Sequence, residues 1–293
     1  MEDFKYVFGP IPSRRLGRSL GISPIPERTC NHTCVYCQLG RTRHLVNDRR
    51  LFFPPADILA EFEMFQQRQG DYDVVSVVGE GEPTLYLGLG ELLLGLKRRT
   101  TKPLAVITNG ALLADPAVRA DLQHADLVLP SLDAYDQDSY RAVNRPHGRL
   151  DYEKSFAGLV EFSHTYRGQV WLEVMLMDGV NDDPVSLERL ANRVAQVRHD
   201  RVYVNTPERP PAEADIRPAS HESIARAVER LQGISIEALV AGDFFSGEKD
   251  ALEAVVSIIR RHPMNQFELA GFLQSRQEPD LEAFRERLAS DPR

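Results

Sequence analysis

From residue 19 to about residue 230 the chain alternates short, nearly unbroken apolar runs with longer stretches in which apolar side chains recur every third or fourth position. The short runs are rich in Val, Leu and Ile and predict β-strands over 19–25, 73–78, 104–108, 127–132, 170–177 and 201–205. The longer stretches predict amphipathic helices near 55–69, 89–99, 115–124, 151–166, 184–197 and 221–231, several of them opened by Pro or Asp as helix capping favours. Strands that are apolar throughout are covered on both faces, as parallel strands between layers are. The expected fold class is therefore α/β, an open (βα)6 partial TIM barrel. A flavodoxin-like open sheet is the alternative that periodicity does not separate from it, and in either architecture chemistry gathers at the C-terminal strand ends.

From about Phe245 the alternation stops. Leu252, Val255, Val256 and Ile259, then Phe267, Leu269, Ala270 and Phe272, then Leu281, Phe284 and Leu288 mark three short amphipathic helices. Residues 1–245 are thus expected as one domain and 246–293 as a small C-terminal helical module. The step Arg261-His262-Pro263-Met264-Asn265 breaks the first helix from the second at a Pro and resembles a helix-turn-helix or the helical part of a winged helix. Residues 251–293 hold six Arg against seven Asp/Glu, whereas a duplex-binding module needs a basic footprint, so docking or packing is the expected role.

Composition adds little to this picture, but charge and cysteine content add more. The 293 residues are 42% apolar and 27% charged, which suits one large domain with an appendage. No run approaches the ~18 apolar residues of a membrane span, and the start, Met-Glu-Asp-Phe-Lys, is too acidic for a secretory signal, so a cytoplasmic location away from membranes is expected. The net charge of −8 divides into +5 over residues 1–50 and −13 over the rest. Arg14, Arg15 and Arg41 in that basic front either attract a phosphate-bearing or nucleic-acid substrate or serve as solvated surface and internal ion-pair donors. The absence of interleaved aromatic residues favours the second reading.

All three cysteines fall in Cys30-Asn31-His32-Thr33-Cys34-Val35-Tyr36-Cys37, directly after the first predicted strand. Thiolates are ligands for iron–sulfur clusters, and three of them on one tight loop suit a cluster with one iron left open to a substrate. Zinc is the competing ligand, with His32 or His44 completing a Cys3His site.

The spacing C-x3-C-x2-C, with an aromatic before the last cysteine and on a loop after the first strand of a βα series, resembles the signature of the radical S-adenosylmethionine superfamily. Gly79-Glu80-Gly81-Glu82-Pro83-Thr84 after the second predicted strand is similar to that family's glycine-glutamate motif. There, the resemblance implies, the backbone holds the amino end of the methionine moiety and Gly79 and Gly81 permit close approach, with Glu82 beside them. Thr108-Asn109-Gly110 resembles the third strand's end beside the cofactor. Pro130-Ser131-Leu132-Asp133 places Ser131 and Asp133 where related enzymes bind the ribose hydroxyls or the methionine carboxylate. Glu173, in Trp171-Leu172-Glu173-Val174-Met175, is a carboxylate on an apolar strand and needs a partner or a cavity, which puts it inside the barrel. Tyr36 is expected near the adenine through its backbone, and Phe52 and Phe53 are expected in the core. Asn181, Asn205 and Asn144-Arg145-Pro146-His147 either contact substrate, cap helices or satisfy loop backbone.

The opening Gly9-Pro10-Ile11-Pro12-Ser13-Arg14-Arg15-Leu16-Gly17-Arg18, together with Cys37-Gln38-Leu39-Gly40-Arg41, resembles the wyosine-synthase-like subgroup over about the first 240 residues. The tRNA wyosine-base synthases carry a second cluster on further cysteines, and this chain has none. The resemblance implies a [4Fe–4S] cluster on Cys30, Cys34 and Cys37, and a reductant such as flavodoxin or ferredoxin. It also implies reductive cleavage of S-adenosylmethionine to a 5′-deoxyadenosyl radical that takes hydrogen from a substrate. A noncatalytic iron–sulfur protein acting through its C-terminal helices is the alternative.

Overall fold

A computed structural model describes residues 4–68, 71–239, 246, 250–259, 264, 266–276 and 281–291. Its centre is an eight-stranded sheet. β1 (Val7–Ser13) runs antiparallel to β2 (Gly17–Ile22). A separate two-residue pair, β3 (Thr29–Cys30) and β4 (His44–Leu45), belongs to the cysteine loop. The main sheet continues from β2 through β5 (Val74–Val77), β6 (Leu104–Thr108), β7 (Leu127–Pro130), β8 (Gln169–Met175), β9 (Arg201–Asn205) and β10 (Ile234–Ser235), all parallel and in chain order. Stepping always to the next neighbour, with a helix in each crossover, is the winding of a partial barrel.

The crossovers are α1 (Pro55–Gln67), α2 (Leu89–Lys97), α3 (Pro116–Leu122), α4 (Gln137–Val143) with α5 (Tyr152–Thr165), α6 (Pro184–Val194) and α7 (His221–Leu231). Pro stands in the first turn of α1, α3 and α6, and the side chains of Asp115, Asp151 and Asp183 accept backbone N–H groups at the starts of α3, α5 and α6. The side chains of successive strand residues go to opposite faces. Val75, Val77, Leu172, Val174, Val202 and Val204 join the helices in the main core, which also holds Ile58 and Phe62 of α1 and takes Phe52 and Phe53 at its edge. Burying a side chain the size of Phe62 stabilises the fold by about 2–3 kcal/mol. Val74, Ala105, Leu127, Trp171 and Tyr203 form a second core on the inner face.

The six predicted strands are all present, and the sheet carries one more at each edge. β1 escaped prediction because Pro10 and Pro12 interrupt its pattern. An edge strand tolerates them, and the register of β1 against β2 shifts between Phe8 and Ile11. β10 is too short to show a period. α4 was also missed: it is one short segment held by a capping box in which Asp136 and Ser139 exchange side-chain and backbone hydrogen bonds.

At the C-terminal end, α8 (Ala251–Ile259), α9 (Gln266–Ser275) and α10 (Leu281–Ser290) fall on the three predicted stretches. Ala254, Val255, Ile258, Phe272, Leu273 and Phe284 pack with Ile11 of β1 in a core of their own. Phe245 at the expected boundary, and Arg261-His262-Pro263 with Asn265 of the expected turn, lie outside the described residues. Among the described residues no helix is long and apolar enough to cross a membrane.

Candidate functional site

Cys30 ends β3, and Cys34 and Cys37 follow in turns closed by Cys37 N–H to Cys34 O at 3.2 Å and Gly40 N–H to Cys37 O at 3.0 Å. All three are free thiols. The loop is held from two sides. On one side the C-terminal end of α4 receives Val35 N–H on Val143 O at 3.0 Å and Thr33 N–H on Asn144 O at 3.1 Å. On the other, Glu213 of the β9–α7 loop donates its N–H to Val35 O at 3.1 Å, while its carboxylate pairs with Arg41 and Arg145.

Three N–H groups point at the sulfurs: His32 N at 3.4 Å and Asn109 Nδ2 at 3.7 Å from Cys30 Sγ, and Asn144 Nδ2 at 3.5 Å from Cys34 Sγ. Burial pushes all three thiols up, Cys34 to about 12, with the neighbouring thiols and nearby carboxylates adding to the effect at Cys30 and Cys34. Such thiols stay protonated until a metal centre takes them as thiolates. Amide donors aimed at sulfur are the groups that tune iron–sulfur clusters, so this donor set fits a cluster. The zinc alternative lacks its histidine. His32 is buried, neutral and turned to Tyr140 Oη, 2.5 Å from Nε2, and His44 is exposed on β4. Among the described residues no three His, Cys, Asp or Glu side chains gather into a single-ion site.

Glu82 is buried and fully committed to the chain. Oε1 accepts Thr84 N–H at 2.9 Å and the hydroxyls of Thr84 and Thr108, each at 2.6 Å; Oε2 accepts Asn109 N–H at 2.7 Å. Burial raises its pKa against the pull of these donors. The close approach at Gly81 is to the chain itself: a Cβ there would lie 1.8 Å from Thr29 O, and one at Gly79 would meet Ile25. Thus Gly81, Glu82, Thr108 and Asn109 clasp the cysteine loop to the ends of β5 and β6.

Asp133 is the counterpart at the end of β7. It accepts the Tyr36 hydroxyl and Asn144 Nδ2 (3.0 Å) on Oδ2, and Met175 N–H (2.9 Å) on Oδ1, and burial raises its pKa. Asn144 therefore links Cys34 to Asp133, a role sequence reading left open because its partners are remote in the chain. Tyr36 reaches this site through its phenol. Asn181 satisfies backbone at Asp133, Met175 and Met177, and Asn205 caps Thr206 N–H while lining the chamber described next. Ser131 and Asp133, with His32 and Asn109, edge a small cavity of about 40 Å³.

A larger chamber of about 370 Å³ lies against the loop. Tyr36, Cys37, Gln38 and Leu39 form one wall, Ser76, Ile107, Glu173, Met175 and Asn205 the strand ends, and Glu268 of α9 part of the rim. Glu173 meets both expectations, facing this space and pairing with Arg15. Arg14 pairs with Glu208 and Arg209 with Glu268. Arg14, Arg15 and Arg41 of the basic front are thus each ion-paired within the chain, Arg14 and Arg15 at the chamber and Arg41 outside it. Burial lowers Arg15 to about 10, which leaves it charged at neutral pH.

The family model described as the Radical SAM superfamily matches residues 25–194. A UPF0026 protein of Methanocaldococcus jannaschii is 35% identical over 270 residues, covering 88% of this chain and 83% of that protein. A Brachyspira hyodysenteriae protein named GTPase Obg is 34% identical over 264 residues, which are 88% of this chain but only 39% of the larger protein. A radical SAM methyltransferase from Sphaerobacter thermophilus shares the fold, with a TM-score of 0.53 at 17% identity over 75% of this chain and 68% of that one.

Proposed function

The chain belongs to the radical SAM superfamily, and from that premise we propose that Cys30, Cys34 and Cys37 hold a [4Fe–4S] cluster beside which S-adenosylmethionine binds, for hydrogen abstraction from a substrate in the chamber. The cluster, when bound and reduced, supplies the electron that cleaves S-adenosylmethionine to methionine and a 5′-deoxyadenosyl radical. The chain's own residues then have three tasks. Asn109 and Asn144 donate hydrogen bonds to the thiolate sulfurs. Glu82 and Asp133 fix the strand ends against the loop, so that the cofactor meets preset backbone and side-chain groups of Gly79, Gly81, Thr108, Ser131 and Tyr36. The inner-face core closes the chamber floor and excludes water.

The observation that carries this reading is the shared wall, since Cys37 and its neighbours line the chamber directly. Superfamily chemistry needs an external one-electron donor, and flavodoxin or ferredoxin is the donor proposed. The test is anaerobic reconstitution with iron and sulfide, followed by dithionite and S-adenosylmethionine. The expected product is 5′-deoxyadenosine. Cluster absorption without that product would favour a noncatalytic iron–sulfur protein.

A further inference from the structure

The chamber carries three Arg–Glu pairs, Arg14–Glu208, Arg15–Glu173 and Arg209–Glu268, and their side chains are only 13–26% exposed. Burying an ion pair is a poor way to gain stability, because the desolvation penalty offsets most of the attraction. Two of the pairs also leave capacity unused. Arg14 and Arg15 each turn one Nη1 to a glutamate, and among the described residues no other hydrogen bond engages either guanidinium. A guanidinium has five N–H donors in a planar fork that matches an oxyanion. The two residues are consecutive in the hairpin turn between β1 and β2, and both line the chamber.

Resting on the assignment of this chamber as the substrate site, we propose that Arg14 and Arg15 form a two-arginine site for an oxyanion of the substrate, a carboxylate or a phosphate. Glu208 and Glu173 act as positioning residues that hold the two guanidinium groups with their remaining donors toward the ligand. Arg41, of the same basic front, takes no part, because it pairs with Glu213 away from the chamber.

The test uses the full chain and thermal unfolding at constant ionic strength, with inorganic phosphate and acetate as probes and chloride as the reference. Either oxyanion is expected to raise the midpoint saturably by about 2–4 °C, chloride having no such effect. Response to phosphate alone assigns a phosphorylated substrate, and response to acetate alone a carboxylate. The paired variants Arg15→Gln/Glu173→Gln and Arg14→Gln/Glu208→Gln, which leave no lone buried charge, are expected to lose the rise, and the surface variant Arg230→Gln to keep it. No oxyanion response in the wild type, a response that survives both paired variants, or its abolition by S-adenosylmethionine in reconstituted protein would overturn the proposal. Because the oxyanion response and its loss in the paired variants are read without cluster or turnover, they are distinguishable from a failure of the 5′-deoxyadenosine assay.

Discussion

The cysteine loop and the chamber beside it are both polar and partly shielded from solvent, yet they satisfy their polar groups in opposite ways. Around the loop, Glu82 accepts four hydrogen bonds and Asp133 three, all from neutral donors of the chain. In the chamber, guanidinium meets carboxylate, and Arg14 and Arg15 keep donors in reserve. A saturated buried network fixes geometry because every alternative leaves an unpaired group. A pair with spare capacity admits a third partner. Rigidity and receptivity thus sit on two sides of one short segment, residues 36–39.

Removing a loop thiol tests this contrast most severely. Cys34→Ala is expected to abolish cluster binding, and iron and sulfide contents equal to wild type after anaerobic reconstitution would remove the loop from the assignment. Gly81→Ala comes next. Its Cβ would meet a backbone carbonyl 1.8 Å away, which no side-chain rotation relieves, so a loss of about 3 kcal/mol is expected in urea unfolding. An unchanged midpoint would mean that the loop is not seated there.

Glu82→Gln puts a donor where Thr84, Thr108 and Asn109 already donate, at an expected cost of roughly 2 kcal/mol. It also has a pH signature. Burial raises the Glu82 pKa, so its preference for the protonated form stabilises the fold below the ordinary carboxylate range and is lost as pH rises through the folded value. The wild type should therefore lose stability across that window more steeply than the Gln variant, and parallel profiles would show that the carboxyl does not titrate there. The smallest effect is expected in the chamber. Arg15→Gln/Glu173→Gln should change stability by less than about 1 kcal/mol, and a loss as large as that of Gly81→Ala would make the pair structural.

Much of this arrangement is legible along the chain, and the exceptions have physical causes. Strands β5 to β9 announce themselves because burial on both faces leaves no polar alternation to confuse the reading. β1 hides behind Pro10 and Pro12, which only an edge position tolerates. The three cysteines are legible because their ligand spacing is local. Their supports are not: Asn144 lies 110 residues from Cys34, and the partner of Arg14 lies 194 residues away. Sequence shows that an arginine or an asparagine is present, whereas only the folded chain shows which donors are used. Glu173 reads in the sequence as a carboxylate needing a partner or a cavity, whereas Asp133 reads only as a resemblance-implied cofactor contact; their partners, Arg15 and Asn144, come from loops whose approach no periodicity records.

The brace at Glu213 also bears on the order in which the protein is made. Val35, Arg41 and Arg145 all meet this one residue, which lies beyond β9. During synthesis the cysteines emerge from the ribosome early, and the residue that locks their loop emerges only after most of the barrel has been translated. The loop therefore takes its final shape late, since its support from Val143 and Asn144 is made well before the one from Glu213. The loop's full set of braces exists only in a chain translated past β9.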